Sequence, residues 1–226
     1  MLLLVTDTSG KHGCVALARA GVKPHEVAII EAVPLVGGTF SAQLVPQIAA
    51  LLAKNKLSKT EIGAFVVVSG PGSFTGLRVG LAAIKALAEI LHKPIVAVSL
   101  LEVVALDAGT SGRVLAVLDA GRGELYAGEY EVADKGARLV QERLLGKNEF
   151  AAAARGLIVA TPDETLAGIA RDCGVSVGHV LLNPEGIARL GWRKLRAGES
   201  VTPEQLEANY IRRSDAEIFS KPASSS

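Results

Sequence analysis

The chain has 226 residues, 49% of them hydrophobic but only 4% aromatic, so it can bury the core of one large domain or two small ones. Its 24 basic and 23 acidic residues leave a net charge of +1, and no overall basic excess points to an electrostatic grip on nucleic acid. Cys14 and Cys173 stand far apart and outside metal-ligand spacing, which argues against a disulfide scaffold or a zinc module. The opening run 1–5 is too short for a signal-peptide core and has no basic lead-in, and the longest apolar stretch, 77–91, is broken by Arg78, Lys85 and Glu89. A soluble, cytoplasmic protein is expected.

In chain order, residues 2–6 read as a buried strand, followed by the turn Asp7-Thr8-Ser9-Gly10 and a returning strand over 13–19. A third strand is expected at 26–34. Leu44, Ile48, Leu51 and Leu52 recur at helical spacing and predict a helix over 41–55. A buried strand at 63–69 runs into a glycine-rich turn and an apolar helix over 77–92. A strand at 94–99 and a helix at 100–108 complete the first half.

The turn residues 109–112 mark a domain boundary, giving an N-terminal subdomain 1–108 and a C-terminal subdomain 109–226. The second half opens with a strand at 114–118, the turn Asp119-Ala120-Gly121-Arg122-Gly123, and a return strand at 124–132. Further elements are expected as a strand at 157–161, a helix from about 163, a short strand at 179–182 and a helix at 184–196. Pro184 suits the first turn of that last helix. The small polar tail 221–226 is expected to be disordered.

The strand, Asp turn and strand that open the chain are echoed 112 residues later, Asp7 by Asp119. Such a repeat dictates architecture. It predicts a duplicated α/β fold resembling the actin and heat-shock-chaperone ATPases, in which two acidic turns face each other across a cleft and hold a metal-bound phosphate. Chance similarity of two Asp-capped hairpins is the alternative. In the first turn, Thr8 and Ser9 supply small polar groups suited to phosphate; Ala120, Gly121 and Arg122 suit it less.

The segment 69–80 holds Gly70, Gly72, Ser73, Thr75 and Gly76 between a strand and a helix. Its glycines permit a turn that side chains would forbid, and N–H groups at the helix start could face an anion. It has neither the Walker nor the dinucleotide spacing. A tight turn that presses the helix onto the sheet explains the glycines equally well. The helix over 77–91 is apolar on nearly every side, so one face packs on its sheet and the other needs a second cover. That cover is either the helix at 41–55 or another chain.

The string GPGSFTGLRVGLAAIKALAE (70–89) resembles the signature of the bacterial TsaB (YeaZ) family. Three other strings agree in order: LLLVTDTSGKHGCVALA (2–18), VLDAGRGELYAGEY (117–130) and EANYIRRSDAE (207–217). The resemblance implies a duplicated actin-like fold (ribonuclease-H-like, of the ASKHA superfamily) in two similar subdomains. It implies association with a catalytic paralogue, TsaD, and with the small ATPase TsaE. That machinery transfers threonylcarbamoyl to the adenosine beside the anticodon of certain tRNAs. By resemblance, the isolated chain forms homodimers, meets tRNA only through the complex, and leaves ATP, ADP and metal to its partners.

In the family, the two helices at 41–55 and 77–91 meet the corresponding pair of the paralogue. The expected interface is therefore Leu44, Ile48 and Leu51 on the first helix and Leu77, Gly80, Ala83, Ile84, Leu87 and Leu91 on the second. Phe40 stands where relatives often carry His, and an exposed Phe there would strengthen an apolar contact. Asp119, Arg122, Glu124 and Tyr126 are motif residues without a derivable role. A final helix near 203–219 is expected to pack back on the first subdomain.

Catalysis by this chain alone is not expected. Its histidines, His12, His25, His92 and His179, are too scattered for the His-x-x-x-His site of the paralogue, and Ser73 lacks the Gly-x-Ser-x-Gly elbow of a serine hydrolase. The alternative is a stand-alone nucleotide-binding ATPase or kinase-like enzyme using Asp7, the 70–76 loop and Asp119.

Overall fold

A computed structural model describes residues 1–23, 26–134 and 136–212. The first sheet contains β1 (Leu2–Asp7), β2 (His12–Ala20), β3 (Val27–Val36), β4 (Ile62–Gly70) and β5 (Ile95–Ser99), in the order β3-β2-β1-β4-β5. β1, β2 and β3 run antiparallel as a meander, whereas β4 and β5 join parallel to β1. Parallel neighbours need crossovers. α1 (Phe40–Lys54) links β3 to β4, and α2 (Phe74–Leu91) links β4 to β5.

The second sheet repeats the plan. β6 (Gly112–Gly121), β7 (Glu124–Ala133) and β8 (Gly136–Gly146) form the meander, and β9 (Ile158–Thr161) and β10 (Val177–His179) add in parallel, giving β8-β7-β6-β9-β10. β6 occupies the place of β1, as the Asp7–Asp119 echo predicts. The two sheets and their connections are the duplicated actin-like α/β fold.

Side-chain alternation splits each sheet into two cores. Leu2, Leu4, Val15, Leu17, Phe65 and Val67 face α1 and α2, while Leu3, Val5, Ala16, Val66 and Val68 face α6 (Pro184–Arg196) through Ile187, Leu190 and Trp192. On the second sheet, α4 (Phe150–Ala153) and α5 (Glu164–Asp172) cover Leu115, Val117 and Val159. The other face, with Val114, Ala116 and Tyr130, receives Leu101, Val104 and Ala105 of α3 (Leu100–Asp107). Each half thus lends a helix across the middle: α3 serves the second sheet and α6 serves the first.

Several elements differ from expectation, among them the short α4, which the sequence did not announce. β8 is unforeseen because it is an edge strand whose Arg138, Leu139, Val140 and Gln141 are all exposed, leaving no clean apolar period. The strand expected at 179–182 lies earlier, at β10. The helix expected at 203–219 is absent over its described part: a turn at 203–205 leads into irregular chain through 210, and residues 213–219 lie outside the described set, as does the tail 221–226. The irregular segment does return to the first half, where Leu206 is buried among the residues under α1 and α2.

Candidate functional site

The first three motif strings and residues 207–212 of the fourth meet at one seam between the halves. The Asp7 turn forms its floor. Asp7 Oδ1 accepts from the Ser9 N–H at 2.8 Å and the Ser9 hydroxyl at 2.6 Å, an Asx turn. Burial holds the Asp7 carboxyl above the ordinary carboxylate range, against the lowering pull of both Ser9 bonds. Across the strand pair Cys14 faces Asp7, and burial together with that nearby negative charge pushes its thiol up to about 12.

The glycine loop packs directly onto this turn. Ser73 N–H donates to the Ser9 carbonyl at 2.6 Å, and the Ser73 hydroxyl caps α2 by accepting from Gly76 N–H at 3.3 Å. A Cβ on Gly72 would lie 2.3 Å from the Ser9 carbonyl oxygen, one on Gly76 2.1 Å from that of Thr8, and one on Gly80 2.1 Å from the Thr8 hydroxyl. Glycines four apart leave a groove along one stripe of a helix, and here the hairpin tip lies in it. Two of the loop's N–H groups therefore serve the chain's own packing. Gly70 at φ +135° abuts the Asn209 carbonyl, where a Cβ would come within 2.6 Å. Thr75 is exposed at the start of α2.

The second hairpin supplies the opposite wall. Asp119 accepts from Gly121 N–H at 3.3 Å and pairs with Lys147 at 3.4 Å. The Tyr126 hydroxyl donates to the Gly72 carbonyl at 3.4 Å, joining the central motif to the glycine loop. Burial raises the Tyr126 phenol pKa, so it stays a donor. Glu124 holds Arg212, which also donates to the Gly121 carbonyl at 3.3 Å. Arg122, at φ +55°, is exposed at the hairpin tip. Between the walls lies a cavity of about 750 Å³ bordered by Ser9, Gly10, Ser73, Asp119, Arg122 and Tyr126. Asp7 is not among its bordering residues.

The expected interface needs correction. Leu44, Ile48 and Leu51 of α1 and Leu77 and Ile84 of α2 are buried in the chain's own core, and Gly80 is filled by Thr8. Phe40 is buried too, with its ring against Gly13 and Gly76. Only Ala83, Leu87 and Leu91 remain half-exposed. Gly80, expected to meet a partner helix, seats the Thr8 turn of the same chain instead. The surface that does face outward is nevertheless largely apolar: Ala42, Val45, Pro46, Ala49 and Ala53 on α1, and Ala82, Ala86 and Ile90 on α2, with Ser41, Lys54, Arg78 and Glu89 toward its ends. Val45 is 51% and Ile90 69% exposed.

Asn209, Tyr210 and Arg212, which line the seam, were legible in the sequence only as part of the last motif string. Glu142 gave no signal. It accepts from the Tyr130 hydroxyl at 2.5 Å, Ser99 at 2.9 Å and Asn209 at 2.6 Å, linking both halves and the returning segment. Burial and the Glu142 charge raise the Tyr130 phenol pKa strongly. Among the described residues, no three His, Cys, Asp or Glu side chains converge as metal ligands.

Fold and seam together define a class: a duplicated actin-like protein whose acidic hairpins and glycine loop are packed on one another. A family model described as "TsaD: tRNA N6-adenosine threonylcarbamoyltransferase" matches residues 34–162, more than half of the chain. Among curated proteins, the chain is similar to the tRNA threonylcarbamoyladenosine biosynthesis protein TsaB of Bacillus subtilis, at 33% identity over 58% of this chain and 56% of that one. To the Escherichia coli protein of the same name it is 27% identical over 94% of this chain and 95% of that one. The alignment thus spans about half of the first relative and nearly all of the second. A solved structure from Pseudomonas aeruginosa, described as an uncharacterized protein with similarity to peptidase YeaZ, superposes with a TM-score of 0.73 at 30% identity, covering 93% of this chain and 99% of that one. The chain belongs to the TsaB (YeaZ) family.

Proposed function

We propose that the chain is a cytoplasmic, non-catalytic subunit of the apparatus that places threonylcarbamoyl on tRNA adenosine. It docks a catalytic paralogue of the TsaD kind through the outward face of α1 and α2. With an ATPase of the TsaE kind it supports transfer, and it meets tRNA only within that assembly. In isolation, a second copy takes the same face.

The observation that carries this reading is the apolar outward face of the helix pair. Water-facing helix surfaces are normally polar, and a contiguous apolar strip marks an interaction site. On α1 the exposed side chains between Ser41 and Lys54 are all Ala, Val or Pro; on α2, Ala82, Ala86 and Ile90 continue the strip beside Arg78, Lys85 and Glu89. Small side chains let a second helix pair approach closely. The corrected interface is Val45, Ala49, Ala82, Ala86 and Ile90, with Ala83 and Leu87 at its margin. ATP, ADP and metal belong to the partner subunits in this account, consistent with a glycine loop that spends Ser73 and Gly76 N–H groups internally.

Co-elution tests the docking. Mixed with the TsaD paralogue of its own organism, the chain should elute as a heterodimer, and Ala86→Glu or Val45→Glu should abolish it with folding intact. Association that survives both substitutions would reject this face.

A further inference from the structure

We propose that residues 208–212 form a latch across the mouth of the seam, and that its release lets the halves open about α3. The segment bridges the halves through polar bonds and two small apolar contacts, Ala208 against the core under α1 and α2 and Ile211 against the core of the second sheet. On the first half, Asn209 N–H donates to the Ser69 carbonyl at 2.7 Å. The Tyr210 ring lies 5.0 Å from that of Phe74, and its hydroxyl accepts from Arg78 Nε at 3.3 Å. On the second, the Asn209 side chain donates to Glu142 at 2.6 Å, and Arg212 holds Glu124 and the Gly121 carbonyl.

The opposite side of the seam is built differently. Leu100 and Val103 of α3 are buried toward the first sheet, and Leu101, Val104 and Ala105 toward the second. That apolar seam resists separation, whereas a latch held mainly by partly exposed polar bonds is drawn from the low-stability end of a structure. The connection from α3 to β6 carries Gly109 at φ +64° and Gly112 at φ +111°, with open space around both, so it can absorb the dihedral change of a hinge. The latch residues Tyr210 and Arg212 also border the 750 Å³ cavity. Their departure widens it and frees the walls around Gly10 and Arg122, so access to the cleft depends on the last motif string.

Distances between the hairpin walls test this. Spin labels are placed at Lys11→Cys and Lys147→Cys in the full chain with Cys14→Ala and Cys173→Ser, diluted with unlabelled chain so that copies do not interfere. The otherwise unaltered chain should give one narrow distance distribution. Tyr210→Ala combined with Arg212→Ala should shift it to longer distances and broaden it, and amide exchange at Gly121 and Gly123 should speed by about tenfold. Should the double variant fail to fold, Glu124→Gln, which cuts the Arg212 anchor from the other side, should give the same shift. An unchanged distribution and unchanged exchange in folded variants would overturn the latch.

Discussion

The Ser73 N–H donates to the Ser9 carbonyl at 2.6 Å, binding the glycine loop of the first half to the tip of its own acidic hairpin. In a phosphate-binding loop such N–H groups point outward to the anion. Here the bond, with the bare α-carbons at 72, 76 and 80, makes the loop a packing joint.

The joint fixes the sign of a simple substitution. Replacing glycine by alanine inside a helix ordinarily stabilises by about 1 kcal/mol. Gly76→Ala and Gly80→Ala should do the reverse, because the new methyl meets the Thr8 carbonyl or hydroxyl at 2.1 Å. Overpacking of this kind costs about 1–3 kcal/mol, read as a lower denaturation midpoint. A rise in midpoint for either variant would contradict the packing.

Asp7 predicts a pH dependence. Its folded pKa is raised by burial, so folding favours the protonated acid. The group costs nothing below the ordinary carboxylate value; as pH rises from there through the raised value, stability is lost, and above it the loss is constant. Asp7→Asn keeps an acceptor for Ser9 and removes the buried charge. It should flatten the stability profile in that window and leave neutral-pH stability equal or higher. A profile parallel to that of the unsubstituted chain would place the charge elsewhere.

The thiols should differ sharply. Thiolate is the reactive form. With its pKa pushed up to about 12, Cys14 should resist alkylation of the native chain at neutral pH, while the exposed Cys173 reacts. One fast equivalent by mass spectrometry, and two only after denaturation, is the expected count.

Glu142 carries three hydrogen bonds from three segments. Glu142→Ala leaves the buried Tyr130 hydroxyl with only the 3.4 Å contact to Ser99 and should cost about 1–3 kcal/mol, whereas Glu142→Gln, which retains an acceptor, should cost less. Thermal melts of the pair separate the network from mere side-chain volume.

What the sequence made legible follows from range. The hairpins, the parallel strands other than β10 and the Asp7–Asp119 echo rest on local apolar runs, and they stand in the structure as read. The glycine stripe on α2 was visible, but its occupant is a turn some seventy residues earlier, so a foreign helix was as plausible as Thr8. Burial of Leu77 was likewise invisible, since a helix apolar all round does not say which side meets its own sheet; the stripe of Leu44 and Ile48 on α1 was legible, but not whether its own sheet or a partner covers it. β8 lacks a period because an edge strand exposes both faces at its centre. The irregular segment through Tyr210 is held by Ser69, Phe74 and Glu142, all far away in sequence, and no propensity announces such bonds.

The scaffold reading is tested most directly by reconstituting threonylcarbamoyl transfer to tRNA from the chain with TsaD and TsaE partners. Omitting the chain or substituting Ile90→Glu should abolish transfer, while Asp119→Ala combined with Asp7→Asn should retain it. Full activity with Ile90→Glu, or transfer by this chain without its partners, would contradict the account.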